Sequence, residues 1–213
     1  MNRLLRTRAA RGATVTAFAG ILTAVVVATT PAAASAAGST VTVRYPVNGS
    51  TFLKAANATV PLGPGALRAK VNLSTGKVTA SLNLPPATGS FTELGLIPVT
   101  ATVAFIQDGP TTGTVDLNTG AVTTTSTITL QITSLSVAGL PVPVGPACES
   151  ATPATVSLAS QPGFSIVNGG TVSGTYTVPP FAGCGLITPV LNLTITGPGN
   201  TISLTLGKAH VIG

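Results

Sequence analysis

Few residues in this chain of 213 could do acid–base, nucleophilic or metal chemistry, and they lie far apart in sequence. The acids are Glu93, Asp108, Asp116 and Glu149, His210 is the only histidine, and Cys148 and Cys184 are the only cysteines. Paired carboxylates about 5 to 9 Å apart across a cleft would serve glycoside hydrolysis. Glu93 follows Ser90-Phe-Thr92, Asp108 sits in Gln107-Asp-Gly-Pro110 and Glu149 adjoins Cys148. Such places are turns and strand ends, where acids commonly cap backbone N–H groups. His210 lies in the tail Lys208-Ala-His-Val-Ile-Gly213, and one imidazole without a cluster makes neither a metal site nor a triad. The sequence therefore assigns no catalytic residue, no metal ligand and no cofactor.

Charge gives the next constraint. Arg3, Arg6, Arg8 and Arg11 precede an apolar stretch from Ala13 to Thr30 and the small-residue run Pro31-Ala-Ala-Ala-Ser-Ala-Ala37. This is the pattern of a secretory signal over residues 1–37, cleaved near Ala36 or Ala37. Gly20, Thr23, Thr29 and Thr30 interrupt the apolar stretch, which makes it a poor membrane span. Loss of the leader takes the formal net charge from +6 to +2 and leaves Arg44, Lys54, Arg68, Lys70, Lys77 and Lys208 as the only cations. A nucleic-acid binder needs a dense basic stripe, often with stacking aromatics, and this chain has no Trp. The expected product is secreted, with no membrane span, and in that compartment Cys148 and Cys184 are expected to form one disulfide.

The elements that must position these residues are strands. From about Thr40 onward apolar residues alternate with Thr, Ser or Asn. Leu67, Ala69, Val71 and Leu73 share one phase, Ser74-Thr-Gly-Lys77 turns the chain, and Val78, Ala80, Leu82 and Leu84 resume it, which predicts a hairpin. A second turn at Asn118-Thr-Gly120 leads into a long strand through Ile128, Leu130 and Ile132 whose phase slips between Thr133 and Leu135, as at a bulge. Further strands are predicted at 99–106, 154–158, 171–178, 190–196 and 201–206, the last two as a hairpin across Gly197-Pro-Gly-Asn200. The string Leu84-Pro-Pro-Ala-Thr-Gly89 reads as a turn. These patterns define an all-β fold over 38–213, an antiparallel sandwich or barrel.

The chain also repeats landmarks in order. Val60-Pro-Leu-Gly-Pro64 returns as Val142-Pro-Val-Gly-Pro146, Leu84-Pro-Pro86 as Val178-Pro-Pro180, and Gly95-Leu-Ile97 as Gly185-Leu-Ile187. We read an internal duplication, about 40–110 and 125–206, giving a pseudo-twofold fold in which Ala66 and Ser90 occupy the places of Cys148 and Cys184.

Two surfaces remain as candidates. Connections are normally polar, yet Leu96, Ile97, Leu140, Val142, Phe181, Leu186 and Ile187 lie in connecting segments. They either fold back to close the core or form a contact or ligand site. Arg68 and Lys70 share a strand face with Lys77 at the adjoining turn, a small patch suited to an anionic surface.

The strings Val144-Gly-Pro-Ala-Cys148, Gln161-Pro-Gly-Phe164, Gly174-Thr-Tyr-Thr-Val-Pro-Pro180 and Gly197-Pro-Gly-Asn-Thr201 resemble those of exported, β-rich, uncharacterised actinobacterial proteins with no assigned activity. The resemblance implies secretion and the disulfide and carries no mechanism. The expected function is that of a non-enzymatic binding or structural module of the cell envelope or extracellular space. Its partner would be an envelope component. A β-barrel carrier of a lipid or other hydrophobic ligand is the second reading, and an extracellular hydrolase the third. A cavity of about 300 Å³ or more would favour the carrier and a filled core the module.

Overall fold

A computed structural model describes residues 39–93 and 95–212, without the side chain of Glu93. The segment expected to be a leader, residues 1–37, lies outside the described residues. The strands are β1 (Thr40–Leu53), β2 (Ala58–Asn72), β3 (Lys77–Asn83), β4 (Ala87–Glu93), β5 (Ile97–Gln107), β6 (Thr111–Val115) and β7 (Val122–Val137). The chain continues through β8 (Leu140–Pro141), β9 (Glu149–Ser150), β10 (Ala154–Ser160), β11 (Gly170–Val178), β12 (Phe181–Ala182), helix α1 (Thr188–Thr194), β13 (Gly197–Leu206) and β14 (His210–Val211).

The sheet runs in the order β10-β11-β13-β1-β2-β3-β6-β7 and closes on itself because β7 also pairs with β10, Thr125 opposite Ser157. The result is an eight-stranded antiparallel barrel, which settles the choice between sandwich and barrel. Closure removes the unpaired edges that an open sheet of these strands would expose. Alternation then sorts the side chains. Val43, Tyr45, Val47, Leu62, Ala69, Val71, Val78, Ala80, Val115, Val172, Leu204 and Leu206 are buried in one core, while the intervening Thr, Ser, Lys and Arg face out. This is the reverse of a membrane-spanning barrel, whose apolar band faces outward.

β7 is longer than the barrel needs. Its first half pairs with β6 and β10. Its second half leaves the barrel and pairs with β5, which carries β4 on its far side. There a second core forms from Val99, Ile132, Leu135, Cys148, Val178, Phe181, Cys184, Leu191 and Ile195. The two cores therefore share one continuous strand. The phase slip read in the sequence is present: Thr102 pairs with Ser134 and Val103 with Ile132, leaving Thr133 unmatched. That extra residue restores Leu135 to the buried side, opposite Ala101. A second register shift lies between Val47 and Gly49 of β1, across from Gly63 of β2. Gly63 has φ of +95°, and a Cβ there would come within 2.7 Å of the Val47 carbonyl oxygen, so no other residue fits without distortion.

Three expectations need correction. Residues 190–196 are not a strand, and no hairpin forms across 197–200. The segment is helix α1, and Gly197 to Asn200 already belong to β13, where Asn200 pairs with Tyr176 of β11. Pro189 fixes a helical φ near the start of the helix, Leu191 and Thr194 are buried, and Val190 and Leu193 face solvent. Leu84-Pro-Pro86 is a connection, but Ala87 to Gly89 begin β4 rather than completing a turn.

The proposed halves diverge at the same place: Gly95-Leu-Ile97 leads into strand β5, whereas Gly185-Leu-Ile187 leads into α1. Ala66 pairs with Pro46 and Asn83 in the barrel wall, and Ser90 pairs with Thr100 in the outer hairpin.

Candidate contact surface and barrel interior

The acids are dispersed over the fold. Asp116 closes the β6–β7 turn, where its Oδ1 accepts the N–H of Asn118 at 2.8 Å and of Thr119 at 3.2 Å. Those two donors hold its carboxyl below the usual Asp range. Asp108 interrupts the chain between β5 and β6, and its Oδ2 accepts the Thr129 hydroxyl at 2.7 Å. Glu149 lies on β9 opposite Gln131 and Ala182. None of the three lines the cavities within the barrel. Among the described residues no group of three His, Cys, Asp or Glu could hold a metal ion.

Cys148 and Cys184 are joined, both fully buried in the second core. The Cys148 carbonyl accepts the Ile132 N–H at 2.9 Å, so the staple is tied directly to β7. The bond closes a loop with a sequence separation of 36, worth about 4 kcal/mol in the chain-entropy account. Asn192 of α1 fastens the same region: its Oδ1 accepts the Phe181 N–H at 2.6 Å, and its Nδ2 donates to the Phe181 carbonyl at 3.0 Å. One amide side chain thus satisfies both backbone groups of a residue in the two-residue strand β12.

The interior of the barrel is apolar with a short polar chain. β3 pairs with β6 only from Lys77 to Ala80, and beyond that point the wall lacks a backbone partner on this side. Gln107 fills the gap. Its Oε1 accepts the Leu82 N–H at 2.9 Å, and its Nε2 donates to the Ala80 carbonyl at 3.2 Å and to Thr111 Oγ1 at 3.1 Å. Thr111 and Ser126 then share a buried hydroxyl hydrogen bond of 2.7 Å. Two cavities, of about 80 Å³ and about 50 Å³, have Leu82, Thr111 and Ser126 as common wall residues. Both are well below the roughly 300 Å³ of an ordinary ligand pocket. Toward one end Phe164 and Ile166, from the loop after β10, pack against the core, and Tyr45 donates its hydroxyl proton to the Ile166 carbonyl at 2.7 Å. Toward the other, Thr51 donates to the Thr201 carbonyl at 2.9 Å, so the Tyr176 hydroxyl must be the donor in its 2.7 Å bond to Thr51. Burial pushes both tyrosines above the usual phenol range.

The apolar loop residues divide. Phe181 is buried in the second core, and Val142 and Ile187 are half-buried against it. Leu96, Ile97, Leu140 and Leu186 are exposed, joined by Val190 and Leu193 of α1. The turns bearing Leu96 and Leu140 are neighbours, since Ala138 donates its N–H to the Pro98 carbonyl.

The cations, by contrast, gather. Arg68 and Lys70 face out from β2, with Lys77 at the start of β3. Strand pairing adds Arg44, which the sequence did not place with them: it lies directly opposite Arg68 and opposite His210 of β14. Its position in Thr42-Val-Arg-Tyr45 marked it as outward-facing, but only the β1–β2 register joins it to Arg68. Thr42 and Thr79 flank Lys70, and Ser81 flanks Arg68. Comparison with protein-family models, with curated proteins and with solved structures gave no match.

Proposed function

We propose that the protein is an exported, non-enzymatic binding or structural module of the cell envelope or extracellular space, working through its outer surface. The observation that carries this reading is the near-filled barrel. Its inward face is apolar and leaves cavities of only about 80 Å³ and 50 Å³, so surface contact is a better use of this fold than carriage of a lipid. The buried disulfide and the basic leader support export. Among the described residues no helix is long and apolar enough to cross a membrane.

Native mass spectrometry of the protein collected from culture medium tests the proposal. The expected mass is that of the chain cut near Ala37, less two hydrogen atoms for the disulfide, with nothing bound. A stoichiometric lipid mass would overturn the module in favour of the carrier, and a cytoplasmic, uncut chain would remove the extracellular assignment.

A further inference from the structure

Building on that reading, we infer that the outer face of β1, β2 and β3 docks a linear envelope polyanion that bears repeated phosphate groups and no bases. Of the six Lys and Arg beyond the leader, four (Arg44, Arg68, Lys70 and Lys77) lie on this one face and all are exposed. Arg44 and Arg68 are directly opposite each other in the ladder, an arrangement that destabilises a sheet unless something anionic covers it. His210 continues the row on the far side of Arg44.

No described carboxylate covers these cations. Asp116, two residues beyond the Thr114 that pairs with Lys77, has an oxygen engaged by the N–H groups of its own turn, and Asp108 is bonded to Thr129.

The layout selects the partner. Lys77, Lys70 and then the Arg68–Arg44 pair descend two residues at a time while crossing from β3 to β1. At strand spacings of about 4.8 Å and rises of about 3.4 Å per residue, the stripe is about 17 Å long. That is too long for one phosphate and suited to successive phosphates of an extended chain. Hydroxyls of Thr42, Thr79 and Ser81 stand beside the cations as neutral donors to phosphate oxygens. A bilayer is the poorer match, because the barrel wall is convex and the rows Thr42-Lys70-Thr79 and Arg44-Arg68-Ser81 hold no apolar side chain to insert.

The test is anisotropy of fluorescently labelled inorganic polyphosphate with the mature, disulfide-bonded protein, over a range of salt. Anionic phosphatidylglycerol vesicles are run in parallel. Wild type is expected to bind polyphosphate with a log K against log salt slope of about −3, for four contacts on a single strand. The double variant R44Q/R68Q should bind at least about tenfold more weakly at low salt, with the slope reduced to about −1.5. Lys54→Gln, a cation outside the stripe, should bind like wild type. The melting temperature of R44Q/R68Q should equal or exceed that of wild type, since a like-charge pair is removed. If R44Q/R68Q fails to fold, K70Q/K77Q must show the same loss. Absence of polyphosphate binding, equal weakening by Lys54→Gln, or binding to vesicles without binding to polyphosphate would each overturn the inference. None of these results touches the filled barrel, and a bound lipid in the mass spectrum would sink the module while leaving the stripe to stand or fall here.

Discussion

Gln107 shows how much of this barrel rests on single side chains. It supplies the hydrogen bonds that strand β6 stops supplying, and it does so with an amide, the one side-chain group that offers an acceptor and two donors together. Gln107→Leu would leave the Leu82 N–H and the Ala80 carbonyl unpaired in the wall, and urea denaturation should show a loss of about 2 to 4 kcal/mol. Gln107→Glu should be worse, because a carboxylate repels the Ala80 carbonyl and buries charge. The tyrosines make the second residue-scale prediction. Their folded pKa values lie above the unfolded value of about 10, so their contribution is intact below pH 10 and is lost as pH rises through the folded values. Melting temperature should therefore be level through neutral pH and fall above about pH 10, and the double variant Y45F/Y176F should show a shallower fall. An equally steep fall in that variant would place the alkaline sensitivity elsewhere. On the outside, hydroxyls stand in for charges: Thr114 with Thr123, Thr125 with Ser157, Thr88 with Thr102 and Ser90 with Thr100 form cross-strand hydrogen bonds of 2.9 to 3.2 Å.

At the scale of elements, α1 is held by Leu191 in the second core and by the Asn192 amide, and the amide contact can be tested alone. Asn192→Leu keeps the branched heavy-atom skeleton of the side chain but orphans both backbone groups of Phe181. A loss of about 2 to 3 kcal/mol is expected, with hydrogen exchange accelerated first at Phe181 and Ala182. Much of the strand pattern was legible because its cues are local: the turn residues at 74–77 and 118–120 lie where strands end, and the phase slip at Thr133 is a bulge. The helix was not legible. Leu191, Leu193 and Ile195 alternate as a strand would, whereas the helix buries Leu191 and Thr194 and exposes Val190 and Leu193, and what decides between them is Asn192 meeting Phe181, a partner outside any local window. The same limit hid Arg44, whose neighbour Arg68 is set by register, and Gln107, whose partners lie on β3 and β6. The alternation did place Arg68 and Lys70 on the outer face, with Lys77 at the adjoining turn.

For the whole molecule, the disulfide and the shared strand determine how the two cores fail. The replacement pair C148A/C184A should lower stability by about 2 to 5 kcal/mol. Because β7 belongs to both cores, unfolding should remain a single transition, with far-ultraviolet circular dichroism coinciding with the fluorescence of Tyr45 in the barrel core and Tyr176 beside the second core. Two separated transitions would show that the second core melts on its own. The continuity of β7 also sets the response to mechanical load. A pull along β7 must shear its ladders with β5, β6 and β10 together, whereas a pull on β4 peels one pairing at a time from β5. A load applied across the outer hairpin would therefore separate β4 from β5 first, with the barrel as the part that bears tension.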